Sequence, residues 1–172
     1  MRSLILILLL ALALAPFGAG AQTNDAVRAL AQREKQPLLD TLKALVEIES
    51  GSADVEGVTR IGALIAERLR ALGGRVDLLP PAIDRPRITS LPQQFANTVV
   101  ARFRGRGSAR ILLLAHMDTV YERGMLAQQP FRIDGDRAYG LGIADDKHGI
   151  AVILHALTML KALSVDGYDV IT

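Results

Sequence analysis

The sequence predicts an α/β fold, a three-layer sheet with flanking helices that is incomplete over this length. Segments with apolar residues at helical spacing alternate with short apolar segments bounded by glycine and proline, as in a layered α/β domain. The unbroken apolar run of residues 111–114, within the predicted strand 110–115, is typical of a strand covered on both faces. The chain stops inside a predicted strand at Thr172, so we expect that further chain follows in the parent protein.

Two helical regions are predicted in the first half of the chain. Residues 22–49 place apolar side chains near a 3.6-residue spacing, and Pro37 either starts a second helix there or kinks the first, because proline has no N–H. Residues 50–53 are predicted to form a loop. Residues 55–72 form an amphipathic helix that ends at the glycine pair 73–74.

Strands are predicted through the middle of the chain. Residues 75–79, 97–103 and 110–115 have strand character, and the proline-rich segment 80–94 is an irregular connection between the first two. Glycines in residues 105–108 indicate a turn.

The last third is predicted to contain a hairpin, a helix and a strand. Residues 131–139 form the hairpin around Asp134-Gly135. The helix covers residues 147–163, and the strand covers residues 169–172.

The N-terminus has the layout of an export signal. An unbroken apolar run of 12 residues at 4–15 follows Arg2 and precedes small residues at 19–21. This run is too short for a membrane span, which needs about 20 residues. We therefore expect a signal peptide over residues 1–21, a mature chain of residues 22–172 without a stable membrane anchor, and a periplasmic or secreted location. A membrane anchor or a buried helix is the alternative.

Composition argues against nucleic-acid binding and against thiolate chemistry. Removal of Arg2 with the signal would lower the formal charge from +2 to +1, which gives little attraction to phosphates, and aromatic residues make up only 4%. There is no cysteine, so disulfides and thiolate metal sites are excluded. A transition metal would have to be bound by histidine and carboxylates.

Two short segments carry such side chains. His116 and Asp118 follow the predicted strand 110–115, where ligand sites of α/β sheets form, and strand alternation puts both on one face. His116 could bind a metal ion through one ring nitrogen while Asp118 accepts a hydrogen bond from the other. Asp145 lies 27 residues after Asp118, beside Asp146 at a predicted helix start, and its carboxylate could reach the same ion.

Structural interpretations of these side chains stay open at this point. His116 and Asp118 could be a core histidine and a turn-capping carboxylate, and Asp145 or Asp146 could cap the following helix. A cap needs only one of the two adjacent carboxylates, and a cation would offset the repulsion between them.

We expect ordinary structural or solvent-exposed positions for three titratable side chains of the last helix. His148 and His155 are about 10.5 Å apart along a helix, so they cannot share one ion. We expect His155 to be packed structurally and His148 to be a bystander. Lys147 pairs with a nearby carboxylate or is simply exposed.

Together, the two segments resemble the zinc-dependent exopeptidases of the M20 family, within its glutamate carboxypeptidase branch. Residues 115–121 read Ala-His-Met-Asp-Thr-Val-Tyr, and residues 140–149 read Gly-Leu-Gly-Ile-Ala-Asp-Asp-Lys-His-Gly. A weaker likeness covers residues 36–172. His148 stands where the family usually has glycine.

The resemblance implies a site with two Zn²⁺ ions, for which Co²⁺ or Mn²⁺ could substitute. It implies that His116 is a ligand of one zinc, that Asp118 is the active-site aspartate that orients this ring, and that Asp145 bridges both ions. It also implies a cis peptide bond between Asp145 and Asp146.

The resemblance further implies hydrolysis of a C-terminal, glutamate-like residue from peptides or N-acyl amino acids by a homodimeric parent. Members of the family carry a Glu-Glu pair that supplies the general base and another ligand, and no such pair occurs in these 172 residues. We therefore expect the N-terminal part of a catalytic domain that is inactive alone. A non-catalytic binding module, or an aminoacylase or dipeptidase of the same fold, is the alternative.

Overall fold

The three-dimensional description comes from a computed structural model, which covers residues 25–82 and 94–172. The predicted signal peptide, residues 1–21, lies outside these residues. Most of the proline-rich connection predicted for residues 80–94 lies outside them as well.

The described residues contain three α-helices, α1 (Asp25–Val46), α2 (Val55–Ala71) and α3 (His148–Ala162). Pro37 lies inside α1, so it does not start a separate helix. Every buried residue of α1 follows this proline, and their packing offsets the backbone hydrogen bond that proline cannot make. Among the described residues, no helix combines the length and apolar character that a bilayer crossing requires.

Six strands complete the described fold: β1 (Arg75–Leu79), β2 (Thr98–Arg104), β3 (Ala109–Ile111), β4 (Arg132–Asp134), β5 (Arg137–Tyr139) and β6 (Tyr168–Ile171). Four of them form one mixed sheet in the order β1-β2-β6-β3, and β4 pairs with β5 in the predicted hairpin. The strand β2 is antiparallel to β1 and β6, whereas β3 and β6 are parallel. The predicted α/β class, a sheet with flanking helices, is confirmed.

A single apolar core joins the three helices to one face of the sheet. Leu45 of α1 and Ile61 of α2 are completely buried in it, beside Leu154 of α3 and Ile171 of β6. Alternate residues of β2 and of the segment after β3 pack against the same core, as strand geometry requires. The core thus holds together the carboxyl end of β6, the segment after β3 and the N-terminal part of α3.

The prediction that residues 110–115 are covered on both faces is wrong. The strand β3 ends at Ile111, and Leu112 and Leu114 are 70% and 84% exposed. The helices share one core, and Leu113 and Ala115 point into it. The alternate side chains therefore point to the opposite face, which none of the described residues covers.

Candidate metal centre

His116 lies where the extended segment after β3 leaves the sheet. The ladder with β6 continues beyond both strands, because Thr172 N donates to Ile111 O and Leu113 N donates to Thr172 O, each at 2.9 Å. Met117 packs against the core from this segment. The side chains on either side of Met117, at positions 116 and 118, therefore project away from the core together.

The His116 ring lies between two carboxylates from different parts of the chain. Its Nδ1 is 3.2 Å from Asp118 Oδ1 and 3.0 Å from the Asp118 carbonyl oxygen. Its Nε2 is 2.8 Å from Asp145 Oδ1. The His116 side chain is 51% exposed, so it is not a packed core histidine. The structure thus brings together all three predicted site residues, whose roles as ligands or orienting group stay predictions.

A turn at Ile143–Lys147 delivers Asp145 to this ring. Asp145 and Asp146 have non-helical φ/ψ angles of −143°/86° and −136°/34°, and the peptide bond between them is cis. The helix α3 begins only at His148 and has no side-chain cap. The capping interpretation is therefore not supported, and the Asp145 side chain stays 81% exposed beside His116.

Gly142 lets the two motif segments touch. Its φ is +72°, which favours glycine, and a Cβ there would lie 2.5 Å from Thr119 Cγ2. The backbone of the second motif therefore passes directly against the residue that follows Asp118. This close approach sets the distance between the two carboxylates that face the ring.

The carboxylates also change the protonation of the ring. The hydrogen bond that Asp145 accepts from the protonated ring raises the pKa of His116 above its ordinary value, burial opposes this shift, and the Asp118 carbonyl and charge add to it. Because a metal ion needs the neutral imidazole, protons compete with the ion for Nε2 more effectively than at an unperturbed histidine.

Ser52, which the sequence indicated only as part of a loop, contacts the site directly. Its hydroxyl donates to Asp118 Oδ2 at 2.6 Å. The loop is joined to the first motif by backbone hydrogen bonds from Ser52 N to Thr119 O and from Thr119 N to Ser50 O, both 2.8 Å. Glycine and serine are ordinary loop residues, so the sequence carried no signal for this contact.

A second set of contacts fixes the segment that follows Asp118. Glu49 Oε1 accepts hydrogen bonds from Gly124 N at 2.7 Å and from Leu126 N at 2.9 Å. Arg123 makes a bidentate pair with Asp54 at 3.0 and 2.6 Å, and its guanidinium lowers the pKa of that carboxyl. The loop between α1 and α2 therefore holds residues 118–126 at several points.

Lys147 is neither exposed nor paired with a carboxylate, contrary to both predicted alternatives. Its side chain is 1% exposed, and Nζ donates to the Ile48 carbonyl oxygen at 2.7 Å. Burial lowers its pKa to about 8, and the charge of Glu49 opposes this shift. Lys147 therefore ties the Asp145 turn to the end of α1.

The other two histidines lie apart from the His116 ring. His148 Nδ1 is 3.0 Å from the Ile143 carbonyl oxygen. His155 is mostly buried, with Nδ1 2.6 Å from Glu34 Oε2 and Nε2 2.8 Å from Thr41 Oγ1. Arg68 donates to the same Thr41 hydroxyl at 2.5 Å, so a polar network links α1, α2 and α3.

The donor set is of the kind that a divalent metal ion uses. An imidazole nitrogen and a carboxylate oxygen face each other, and a second carboxylate orients the ring from behind. Within residues 25–82 and 94–172, however, no group of three or more potential ligands converges. The described residues thus fit part of a metal site, with two donors where zinc takes three or four protein ligands.

A cavity of about 410 Å³ opens beside these donors. His116, Asp118 and Ser52 line one part of it. Most of the remaining lining is apolar and comes from β2 and the residues before it, the segment after β3, α2, α3 and the end of β6. The candidate donors therefore lie at the edge of an apolar groove.

Both motif segments lie in a region that is similar to known proteins. Residues 112–170, which contain both motifs, match the family model of Peptidase family M20/M25/M40. The chain is 43% identical over 153 residues to carboxypeptidase G2 of Pseudomonas sp. (strain RS-16), covering 88% of this chain and 35% of that protein. A stretch of 64 residues is 44% identical to a putative succinyl-diaminopimelate desuccinylase of Mycobacterium tuberculosis, covering 37% of this chain and 17% of that protein.

Solved structures show the same fold. Human carnosine dipeptidase 1 matches with a TM-score of 0.64 at 21% identity, and the Saccharomyces cerevisiae dipeptidase Dug1p matches with 0.68 at 18%. Each match covers 81% of this chain and 31% of the other protein. At these identities the likeness concerns the fold alone.

Residues 112–170, which contain the histidine and the two carboxylates of this site, match a family of hydrolases. The chain belongs to the M20 peptidase family, as the motif resemblance predicted. It spans about a third or less of the length of the curated relatives named above.

Proposed function

We propose that this chain is the N-terminal part of the catalytic domain of an exported di-zinc exopeptidase. The proposed reaction removes a C-terminal, glutamate-like residue from small peptides or N-acyl amino acids. The 43% identity to carboxypeptidase G2 supports this substrate class. The chain's share of that relative's length supports the assignment to one part of a larger catalytic unit.

The observation that carries the proposal is the position of the His116 ring. Nε2 faces Asp145 Oδ1 at 2.8 Å, while Nδ1 faces Asp118. If Nδ1 carries the ring proton, Asp118 accepts a hydrogen bond from this N–H group, and Nε2 keeps a free lone pair directed toward Asp145. This is the arrangement that a metal-binding histidine needs.

A bound divalent ion would activate water and polarise the scissile amide carbonyl. His116 would hold that ion through Nε2, and Asp145 would hold it through its carboxylate. Asp118 would keep the ring in the metal-binding tautomer. A general base must come from elsewhere, since the sequence contains no Glu-Glu pair of the kind that serves this purpose in the family.

Zinc titration calorimetry tests the site. We expect the chain to bind zinc and His116→Ala to bind it about tenfold more weakly or worse, because one of two donors is gone. His148→Ala is the matched control and should bind like the wild type, since His148 is also about half exposed but its Nδ1 lies 3.0 Å from the Ile143 carbonyl oxygen and 3.6 Å from Asp146 rather than against Asp145. Equal zinc affinity of His116→Ala and the wild type would refute the site.

An activity assay tests the proposed inactivity of the chain alone. With zinc supplied, we expect no release of glutamate from an N-acyl glutamate above the level without protein. Robust turnover that is abolished by His116→Ala would show that the chain holds a complete catalytic site, and the proposed inactivity would then be wrong.

A second candidate is a non-catalytic binding module. The observation that favours it is the convergence of fewer than three potential ligands among the described residues. Calorimetry separates the two, because a scaffold with no metal function would give no saturable heat with zinc.

Export is the remaining element of the proposal. Its support is the basic, apolar and small-residue order of residues 1–21. Expression in a bacterial host followed by mass measurement of the periplasmic protein should give a chain that starts at Gln22. A chain that stays in the cytoplasm at full length would contradict export.

A further inference from the structure

We propose that Ser52 is a positioning residue that fixes the Asp118 carboxylate and, through it, the metal-binding face of His116. This inference rests on the proposed function, because it assigns Ser52 a role in metal uptake. It extends the site to the loop between α1 and α2, which neither motif contains.

The two oxygens of Asp118 have separate partners. Ser52 Oγ lies 2.6 Å from Oδ2, and His116 Nδ1 lies 3.2 Å from Oδ1. The Ser52 hydroxyl is also 3.1 Å from the Thr119 carbonyl oxygen, but its single proton goes to the closer and charged acceptor. Two consecutive hydrogen bonds therefore connect Ser52 through Asp118 to the His116 ring, and they hold the carboxylate by both of its oxygens.

The Ser52 hydroxyl is itself placed by the backbone. Ser52 N donates to Thr119 O, Thr119 N donates to Ser50 O, and Gly51 pairs with Thr119 in a parallel bridge. A Cβ at Gly51 would collide with the Tyr121 carbonyl oxygen, so only glycine allows the two segments this close. Ser52 and Asp118 are thus carried by two segments that cannot easily move apart.

Contacts beyond the bridge stabilise the same arrangement. Asp54 accepts a hydrogen bond from Gly57 N at the start of α2 and also pairs with Arg123. Glu49 accepts two backbone N–H groups of the segment that follows Asp118. Residues on both sides of Ser52 therefore fix this loop to the segment that carries Asp118.

Loss of the Ser52 hydroxyl would leave Asp118 with one anchor. The Asp118 side chain is 44% exposed, so its carboxylate could then rotate toward water. The ring would lose the charged acceptor of Nδ1 and keep only the neutral Asp118 carbonyl oxygen, so the metal-binding tautomer would be less strongly favoured and Nε2 would present a lone pair to the ion for less of the time. Partners of this kind typically change metal affinity by about 10- to 100-fold.

Three serine variants of the chain test this role by zinc calorimetry. We expect Ser52→Ala to bind zinc about 10- to 100-fold more weakly than the wild type. Ser52→Thr retains a hydroxyl and should restore most of the affinity. Ser108→Ala is the matched control, because Ser108 is exposed in the turn before β3, and it should bind like the wild type. Far-UV circular dichroism and urea unfolding confirm that each variant is folded.

Metal-free crystal structures give a second readout that does not depend on zinc binding. The contact between Asp118 Oδ1 and His116 Nδ1 should persist in the wild type and in Ser52→Thr and be lost or disordered in Ser52→Ala. Wild-type zinc affinity of Ser52→Ala, or affinity of Ser52→Thr as weak as that of Ser52→Ala, would overturn the role. If the wild type takes up no zinc, the proposed function fails instead. In that case an unchanged contact between Asp118 Oδ1 and His116 Nδ1 in the crystals of Ser52→Ala would overturn the positioning role as well.

Discussion

Replacement of Lys147 by methionine should remove a specific pH dependence of stability. The lysine amine is buried at the end of the Asp145 turn and donates a hydrogen bond to the Ile48 carbonyl oxygen. Burial lowers its pKa from the ordinary 10.5 to about 8. Methionine has a similar length and fills the same space without a charge, so it isolates the effect of the buried amine.

The sign and size of this pH dependence follow from the pKa of Lys147 in the unfolded and in the folded chain. Between about pH 8 and 10.5 the unfolded chain keeps the Lys147 proton while the folded chain has lost it. The contribution of Lys147 to the free energy of unfolding therefore rises with pH across this window. Below the window the buried amine is charged, and its destabilising contribution is largest and constant. A fall in pKa from 10.5 to about 8 corresponds to about 3 kcal/mol.

Urea unfolding at a series of pH values with a chelator present measures this effect. The difference in unfolding free energy between wild type and Lys147→Met should increase by about 3 kcal/mol in favour of the wild type from pH 7.5 to 10.5. Lys161→Met is the control, because Lys161 also donates to a backbone carbonyl but is exposed, and it should follow the wild type. If Lys147→Met also parallels the wild type, the amine is not held in a desolvated site and the reasoning is refuted.

Two further substitutions test the packing around the site. Thr41→Val keeps the side-chain volume but removes the hydroxyl that His155 and Arg68 share, so the free energy of unfolding should fall by about 1–3 kcal/mol. The exposed control Thr59→Val should change it little. Equal urea midpoints for the Thr41→Val and Thr59→Val variants would contradict the polar network. Gly51→Ala would push a methyl group into the backbone of the neighbouring loop, so both zinc affinity and thermal stability should drop, and an unchanged melting temperature would show that the loops are not in contact as described.

Much of the fold could be predicted because its elements are locally encoded. The amphipathic spacing and terminal glycines of α2 predicted Val55–Ala71 almost to the residue. The hairpin was predicted around Asp134-Gly135, and its two-residue turn between β4 and β5 is Gly135-Asp136. The face that residues 112–115 leave exposed could not be predicted. An apolar run has the same composition whether one or both of its faces are covered, and only the placement of the helices decides this.

The candidate site likewise has a part that the sequence predicted and a part that it did not. The identities and spacing of His116, Asp118 and Asp145 pointed to metal chemistry because two separate segments each carry side chains that bind divalent ions, and only the two together are specific. The contact of Ser52 with Asp118 had no sequence signal, since a serine in a loop is ordinary and the two residues are 66 positions apart. Lys147 was predicted to be exposed or ion-paired, because a lysine is seldom fully buried.

The sequence by itself determined the α/β class, the two motif segments and the kind of ligand that they favour, because periodicity and side-chain chemistry are local properties. The tertiary structure alone decided that His116 lies between two carboxylates, that the loop before α2 holds one of them, and that the lysine at the end of the turn carrying the other is buried. These features depend on which distant segments pack together, and that is set by the shared core of three helices and a sheet rather than by any one stretch of residues.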